Sequence, residues 1–203
     1  LHKAIRRQRQ MCIRDRDDPE LICARTNNIP IVERADFVGF LTRIYDNTIG
    51  IAGTHGKTTT SSMVSSAFMS ANLDPSIQVG AMLKDIGGNY RVGNSDFFIL
   101  EACEYVESFL KFSPQSAIVT NIDNDHLDYF KTFDNIKHAF EKYVNLLPKD
   151  GFLITNADDP DCLDLRKHTL AQVVTFGLRN DRANFIGRNI VFDKNGFSKF
   201  DVY

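Results

Sequence analysis

The feature that most constrains this chain is a junction. An apolar run, IGIAG over residues 49–53, passes through the short turn THG into KTTTSSMVSSAFMSAN, a stretch of helical length and composition. A buried strand that runs through a glycine turn into a helix is the opening of a βαβ unit, which commits the chain to a largely parallel sheet. The turn itself, GTHGKTT (Gly53, Thr54, His55, Gly56, Lys57, Thr58 and Thr59), has the makings of an anion cradle. Two glycines permit a tight turn and close backbone approach. The N–H groups from Gly53 to Thr58 can converge on one anion, and the helix N-terminus adds favourable partial charge. The common phosphate loop is G-x-x-x-x-G-K-[ST], and the place of its first glycine holds Ile51 here, so this cradle is shorter.

The alternation continues downstream. Apolar stretches at 76–83, 96–102, 116–122, 151–157 and 171–177 read as strands, with helices over 57–72, 132–148 and 158–169. Met63, Ala67 and Phe68 are the expected apolar face of the first helix, Asp134 the expected N-cap of the second, and Pro160 lies in the first turn of the third. GGNYRVG (87–93) reads as a loop or hairpin, and the last residues as a hairpin around Lys194-Asn195-Gly196. Upstream, residues 18–47 read as an amphipathic stretch, a turn at Asn27-Asn28, a short strand at Ile29–Val32 and a helix to about Tyr45, with a linker at 46–48. The class is α/β with a mostly parallel sheet.

In such sheets ligands bind beyond the carboxyl ends of the strands. Those ends carry the glycine loop, Glu101, Asn121 with His126 soon after, and Asn156. Lys57 can neutralise phosphate charge, Thr58 can serve a Mg²⁺ ion and Thr59 a phosphate oxygen. Glu101 ends an apolar strand, where a carboxylate is costly unless a cation meets it. His126 follows in TNIDNDHLDYF and can ligate a second metal through a neutral imidazole, oriented by a neighbouring aspartate. Asn89 and Arg91 can clamp an anionic or polar substrate. Asn156 and Asp158 are weaker candidates for the edge of a nucleotide site, and Glu104 and Glu107 read as solvated residues of the turn after Glu101. The plainer alternatives are a strand-end carboxylate facing water, a hydrogen-bonded loop histidine and an ordinary β-turn at 87–96.

Bulk properties narrow the partners. The 203 residues suit one domain, or one domain with part of another, and the net charge of −2 points to neither nucleic acid nor membrane. No apolar run approaches the roughly 18 residues of a membrane helix. Cys12, Cys23, Cys103 and Cys162 are far apart with no C-x-x-C, the pattern of reduced cytoplasmic thiols. Residues 1–16 are basic, lack the apolar core of a signal peptide, and include RQMCIRDR, which resembles translated adapter sequence, so they carry little weight as native protein.

GTHGKTTT together with LEACEYVESFL and AIVTNIDNDHLDYF resembles the Mur ligases, ATP-dependent amide-forming enzymes of peptidoglycan precursor synthesis, whose phosphate loop is likewise short. The resemblance covers about residues 17–203. It implies a remnant of an N-terminal Rossmann-like, UDP-sugar-binding domain over 17–47, a central ATP-binding domain over 48–203 truncated at its end, and an amino-acid-binding domain that is absent. It implies ATP and Mg²⁺, with Lys57, Glu101 and His126 as catalytic residues, Thr58, Glu101 and His126 holding metal, and Asn89 and Arg91 facing the sugar. His55 looks like the branch that joins L-alanine to UDP-N-acetylmuramate through an acyl phosphate. A branch that attaches a recycled peptide to the same sugar shares that histidine and is the close competitor. A stand-alone P-loop phosphotransferase or switch is a third reading, which the Ile51 spacing and a glutamate where a Walker-B aspartate belongs count against. An inert fragment is a fourth.

Overall fold

The structure is a computed structural model and describes residues 18–203. The basic segment 1–16 lies outside the described residues. The elements are α1 (Pro19–Thr26), α2 (Arg34–Thr42), β1 (Asn47–Ala52), α3 (Lys57–Ser70), β2 (Ser76–Leu83), β3 (Gly88–Arg91), β4 (Phe97–Glu101), β5 (Ser116–Val119), α4 (Leu127–Phe130), α5 (Phe133–Val144), β6 (Phe152–Asn156), α6 (Pro160–Asp164), β7 (Gln172–Gly177), β8 (Phe185–Phe192) and β9 (Ser198–Val202). The chain divides into two compact units between Phe37 and Val38.

In the first unit α1 starts on Asp18, whose carboxylate accepts from the Glu20 N–H, with Pro19 in the first turn. The expected strand at Ile29–Val32 does not form. Pro30 has no N–H to donate, and among the described residues no strand pairs with this stretch.

The second unit is built on one sheet of order β3-β2-β4-β1-β5-β6-β7-β8-β9. From β2 to β8 neighbouring strands are parallel, and the antiparallel β3 and β9 close the two edges. On one side of β1 the chain lays down β2 and the edge strand β3, returns as β4 directly beside β1, and then crosses to the other side as β5. That reversal is the topological switch point where doubly wound sheets bind ligands. Both faces of the central strands are covered, which explains their continuous apolar runs: Ile51, Ile99, Leu100 and Leu153 are fully buried. Phe109 stacks on Tyr143 at 4.5 Å and meets Phe140 edge-on at 5.4 Å in the core beneath α5.

Two helix expectations are corrected. The N-cap of α5 is Thr132, whose hydroxyl accepts from the Asn135 N–H, and Asp134 sits in the first turn. In α3 the buried positions are Ser61 and Ser65, while Met63 is 66% exposed, Ala67 is exposed and Phe68 is half-buried against the edge of Phe97. Small side chains let α3 lie close on the sheet; the Ser61 hydroxyl donates to the Lys57 carbonyl, whereas the Ser65 hydroxyl is buried without a hydrogen-bond partner. The stretch 87–93 does form a hairpin, β3 folding back on β2.

Candidate functional site

The cradle is moulded by the end of β5. Gly53 has φ +134°, and a Cβ there would come within 2.1 Å of the Thr120 hydroxyl, so only glycine fits. The Thr54 N–H donates to the Asn121 carbonyl (3.0 Å) and the His55 N–H to Asn121 Oδ1 (2.8 Å). The His55 carbonyl in return accepts from Thr120 Oγ1 (2.7 Å) and Asn121 Nδ2 (2.9 Å). The Thr54 hydroxyl is tied to Asp123, whose N–H donates to it at 2.8 Å. The His55 ring is 64% exposed and lies 3.7 Å from the Asp123 carboxylate. Gly56, with φ 82°, is the N-cap of α3, and no side chain caps the helix. A Cβ on Gly56 would meet nothing within 4 Å, so the mouth of the loop is open. A helix start with a glycine cap, no side-chain cap and open space above it is suited to an anion.

Thr58 and Glu101 come together as the sequence suggested. The Thr58 hydroxyl donates to Glu101 Oε2 at 3.0 Å, and the Gly80 N–H donates to the same oxygen at 2.9 Å. A hydroxyl beside a fixed carboxylate is a pair of hard oxygen donors, which fits a divalent cation that keeps several of its waters.

His126 meets a different acid. Its Nε2 lies 3.9 Å from Glu104 Oε1, and its Nδ1 lies 3.8 Å from Asp125, the neighbouring aspartate. The Tyr105 ring packs on the imidazole at 4.7 Å, and the Tyr105 hydroxyl donates to Asp128 at 3.1 Å. Glu104, expected to be solvated, is 2% exposed. It faces Lys57, whose ammonium donates to its Oε1 at 3.1 Å. After β4 the chain turns at Tyr105–Lys111, kinked where Val106 (φ 49°) and Glu107 (φ 54°) are left-handed, and Glu104 stands at the head of this turn. Left-handed φ is costly for a β-branched residue, and such strain concentrates at functional sites. Glu107 is half-buried and takes the Tyr129 hydroxyl (3.3 Å) and the Lys142 ammonium (3.2 Å).

Of the remaining candidates, all but Asn89 are engaged by the protein's own groups. The Arg91 guanidinium donates to the Pro75 carbonyl at 2.6 Å and to the Asp74 carboxylate, while Asn89 is exposed on β3. The Arg91 hydrogen bond, aided by Asn94, lowers the Asp74 carboxyl to about 2. Asn156 Nδ2 donates to the Thr120 carbonyl at 3.1 Å, bracing the loop from behind. The Asp158 carboxylate accepts the N–H groups of Leu178, Arg179 and Asn180. Partial desolvation pulls its carboxyl upward, but those N–H groups outweigh it and hold the carboxyl below its usual range. His138 and His168 meet each other's neighbourhood at Glu141, at 2.9 and 3.6 Å. The three described cysteines, Cys23, Cys103 and Cys162, are free thiols.

Sequence reasoning missed Glu104 as a member of the site and Thr120 and Asn121 as the mould of the loop. Asn121 was visible as a strand-end amide; nothing in the local pattern marked Glu104.

A parallel sheet with a shortened cradle at its switch point is an architecture shared with known proteins. Residues 51–202 match the Mur ligase middle domain, so the chain belongs to the Mur ligase family. Among curated relatives, UDP-N-acetylmuramate–L-alanine ligase of Clostridium tetani is 50% identical over 186 residues, and that of Acetivibrio thermocellus is 45% identical over 186 residues. Each alignment covers 92% of this chain and 40% of the relative, so the chain spans well under half the length of the proteins it matches. Among solved structures, UDP-N-acetylmuramate-alanine ligase from Thermotoga maritima superposes with TM-score 0.77 at 29% identity, covering 92% of this chain and 41% of that one. A UDP-N-acetylmuramate:L-alanyl-gamma-D-glutamyl-meso-diaminopimelate ligase from Neisseria meningitides has the same fold, with TM-score 0.77 at 23% identity, covering 92% of this chain and 61% of that one.

Proposed function

We propose that this chain is the nucleotide-binding portion of an ATP-dependent, cytoplasmic ligase that joins L-alanine to UDP-N-acetylmuramate. The observation that carries the reading is the uncapped, open glycine loop at the switch point, with Lys57 inside it and the Thr58–Glu101 pair beside it. The alanine-adding names of the two relatives at 50% and 45% identity support this choice of substrates. On this reading residues 17–47 are the tail of a sugar-binding domain, and residues 48–203 are most of the ATP-binding domain.

ATP would supply the phosphoryl group that converts the muramyl carboxylate into an acyl phosphate, from which the amine of L-alanine displaces phosphate. Mg²⁺, held by Thr58 and Glu101, would neutralise charge on that phosphoryl group. The chain's own part is positioning and electrostatics. The N–H groups at the start of α3 would meet the phosphates, those of Thr54 and His55 being held by Asn121, while Thr59 offers a hydroxyl to a phosphate oxygen and Lys57 supplies positive charge. The Gly80 N–H and the Thr58 hydroxyl aim the Glu101 carboxylate. His126, steadied by Tyr105 and Asp125, offers an imidazole for a second metal. Asn89 is free to reach a sugar from its exposed position, whereas Arg91 must first leave Asp74 to do so.

Calorimetric titration of the 203-residue chain with Mg·ATP tests the reading. Lys57→Ala should abolish the binding heat, and unchanged binding would remove the phosphate-cradle assignment. Phosphate release by the full-length parent protein with UDP-N-acetylmuramate and L-alanine tests the substrates; release with a peptide and not with alanine would move the assignment to the peptide-attaching ligases.

A further inference from the structure

The lysine of the cradle has no hydrogen-bonding capacity to spare. An ammonium has three protons. Lys57 Nζ donates to the Gly53 carbonyl at 2.6 Å, the Thr54 carbonyl at 3.0 Å and Glu104 Oε1 at 3.1 Å. It also lies 3.0 Å from Glu104 Oε2, an oxygen that is buried and has no hydrogen bond of its own. The two side chains are 13% and 2% exposed. A phosphate oxygen arriving at the loop finds no free donor on Lys57 unless one of these bonds is given up. Two acceptors are carbonyls of the loop, which β5 holds in place. The third is a carboxylate, the one partner with the same sign of charge as the incoming anion.

We propose that Glu104 is a positioning residue that holds Lys57 back within the loop, and that a polyphosphate binds by taking the ammonium from the Glu104 carboxylate. This rests on the nucleotide reading above. The member that moves is the lysine. Its stem has four rotatable carbons, whereas Glu104 stands at the head of a turn fixed by the Tyr105–His126 ring contact and by the bonds of Glu107 to Tyr129 and Lys142. The carboxylate left behind is buried and needs a donor. Nε2 of His126 lies 3.9 Å from Oε1, and an imidazole with its proton on that nitrogen would keep Nδ1 for a metal. Glu104 therefore balances the charge of the loop lysine, and it opposes anion binding while doing so.

A residue that merely supported the fold would weaken binding when changed; a competing counter-ion strengthens it. Mg·ATP and inorganic tripolyphosphate are titrated calorimetrically into the wild-type chain, Glu104→Gln and Glu104→Asp. Glu104→Gln keeps the shape and removes the charge, so it should bind both ligands roughly tenfold more tightly. Glu104→Asp, with its carboxylate drawn back from the ammonium, should fall between the two and covers the case that the glutamine variant does not fold. Wild-type binding with unchanged or weaker binding in a folded variant overturns the proposal and leaves the nucleotide reading standing. Binding by neither wild type nor variant overturns both. Thermal unfolding separates the clasp from the ligand: Lys57→Met strands the carboxylate and should lower the midpoint by about 10 °C, and adding Glu104→Gln should restore most of it. Additive losses would mean that the two groups are not coupled, which also overturns the proposal.

Discussion

Strand β4, FFILE, and strand β8, FIGRNIVF, both carry several large apolar residues, β8 with Gly187, Arg188 and Asn189 between them, and those apolar residues meet opposite fates. Phe98, Ile99 and Leu100 of β4 are 4%, 0% and 0% exposed, whereas Val191 and Phe192 of β8 are 57% and 71% exposed. The difference lies in their neighbours. β4 is paired on both sides, by β2 and β1, and α3 packs on it. β8 is paired with β7 at only two register positions, and its other neighbour, β9, is itself exposed throughout. Apolar composition makes a strand able to be buried, and the layers on either side decide whether it is.

The largest expected contrast is energetic. Ile99→Ala should cost about 2–5 kcal/mol in denaturant unfolding, while Phe200→Ala on β9, at 51% exposure, should change stability by about 0.5 kcal/mol or less. Equal losses would mean that the hairpin is as integral as the centre. Next, Gly53→Ala should cost about 1–3 kcal/mol, because it forces an L-residue to φ +134° against Thr120, and Mg·ATP binding should disappear with it. Retained binding would show that the loop geometry is not required. Third, Tyr143 is a polar exception within the centre: its hydroxyl is fully buried with no hydrogen bond, beneath Gly50. Burial alone pushes its ionisation far up, so it stays neutral at any ordinary pH. Tyr143→Phe should leave stability unchanged or raise it by about 1 kcal/mol. A loss would reveal a partner for the hydroxyl.

Smaller again is the strained turn. Val106→Asn places a residue that tolerates left-handed φ at φ 49° and should gain about 0.5–1 kcal/mol, read as a higher thermal midpoint. The smallest effect lies near the edge, where β3 is clasped by Arg91 and Asp74. The Asp74 carboxyl is lowered from 3.8 to about 2, chiefly by the Arg91 hydrogen bond. A depressed carboxylate contributes its stability fully above the ordinary value and loses it as pH falls. An acid titration should therefore show Asp74 ionised until the pH drops from about 4 through about 2, and Asp74→Asn should flatten that part of the stability curve.

Legibility followed locality. The strand–loop–helix junction, the parallel class and the strand-end positions of Glu101 and Asn121 depend on patterns within a few residues, and they were readable. So was the pairing of Thr58 with Glu101, because a hydroxyl at the helix start and an acid at a neighbouring strand end must face the same switch point. The face of α3 was not. Met63 and Phe68 promised a helix packed by large side chains, yet close approach to the sheet required Ser61 and Ser65. The strand at Ile29–Val32 failed for the same kind of reason: β propensity needs a partner, and none of the described strands supplies one.

The sequence by itself determined that this is an α/β chain with an anion cradle between an apolar strand and a hydroxyl-rich helix, since glycine spacing and periodicity are local properties of the backbone. Tertiary structure alone decided what surrounds Lys57. Glu104 lies 47 residues downstream and reads like a solvated acid. It becomes the buried partner of the cradle lysine because β4 runs beside β1, which brings the residues just after Glu101 next to the loop that follows Ala52. Charge on a side chain is written in the sequence; the loss of water around it, which gives that charge its strength, is fixed only when distant strands are brought side by side.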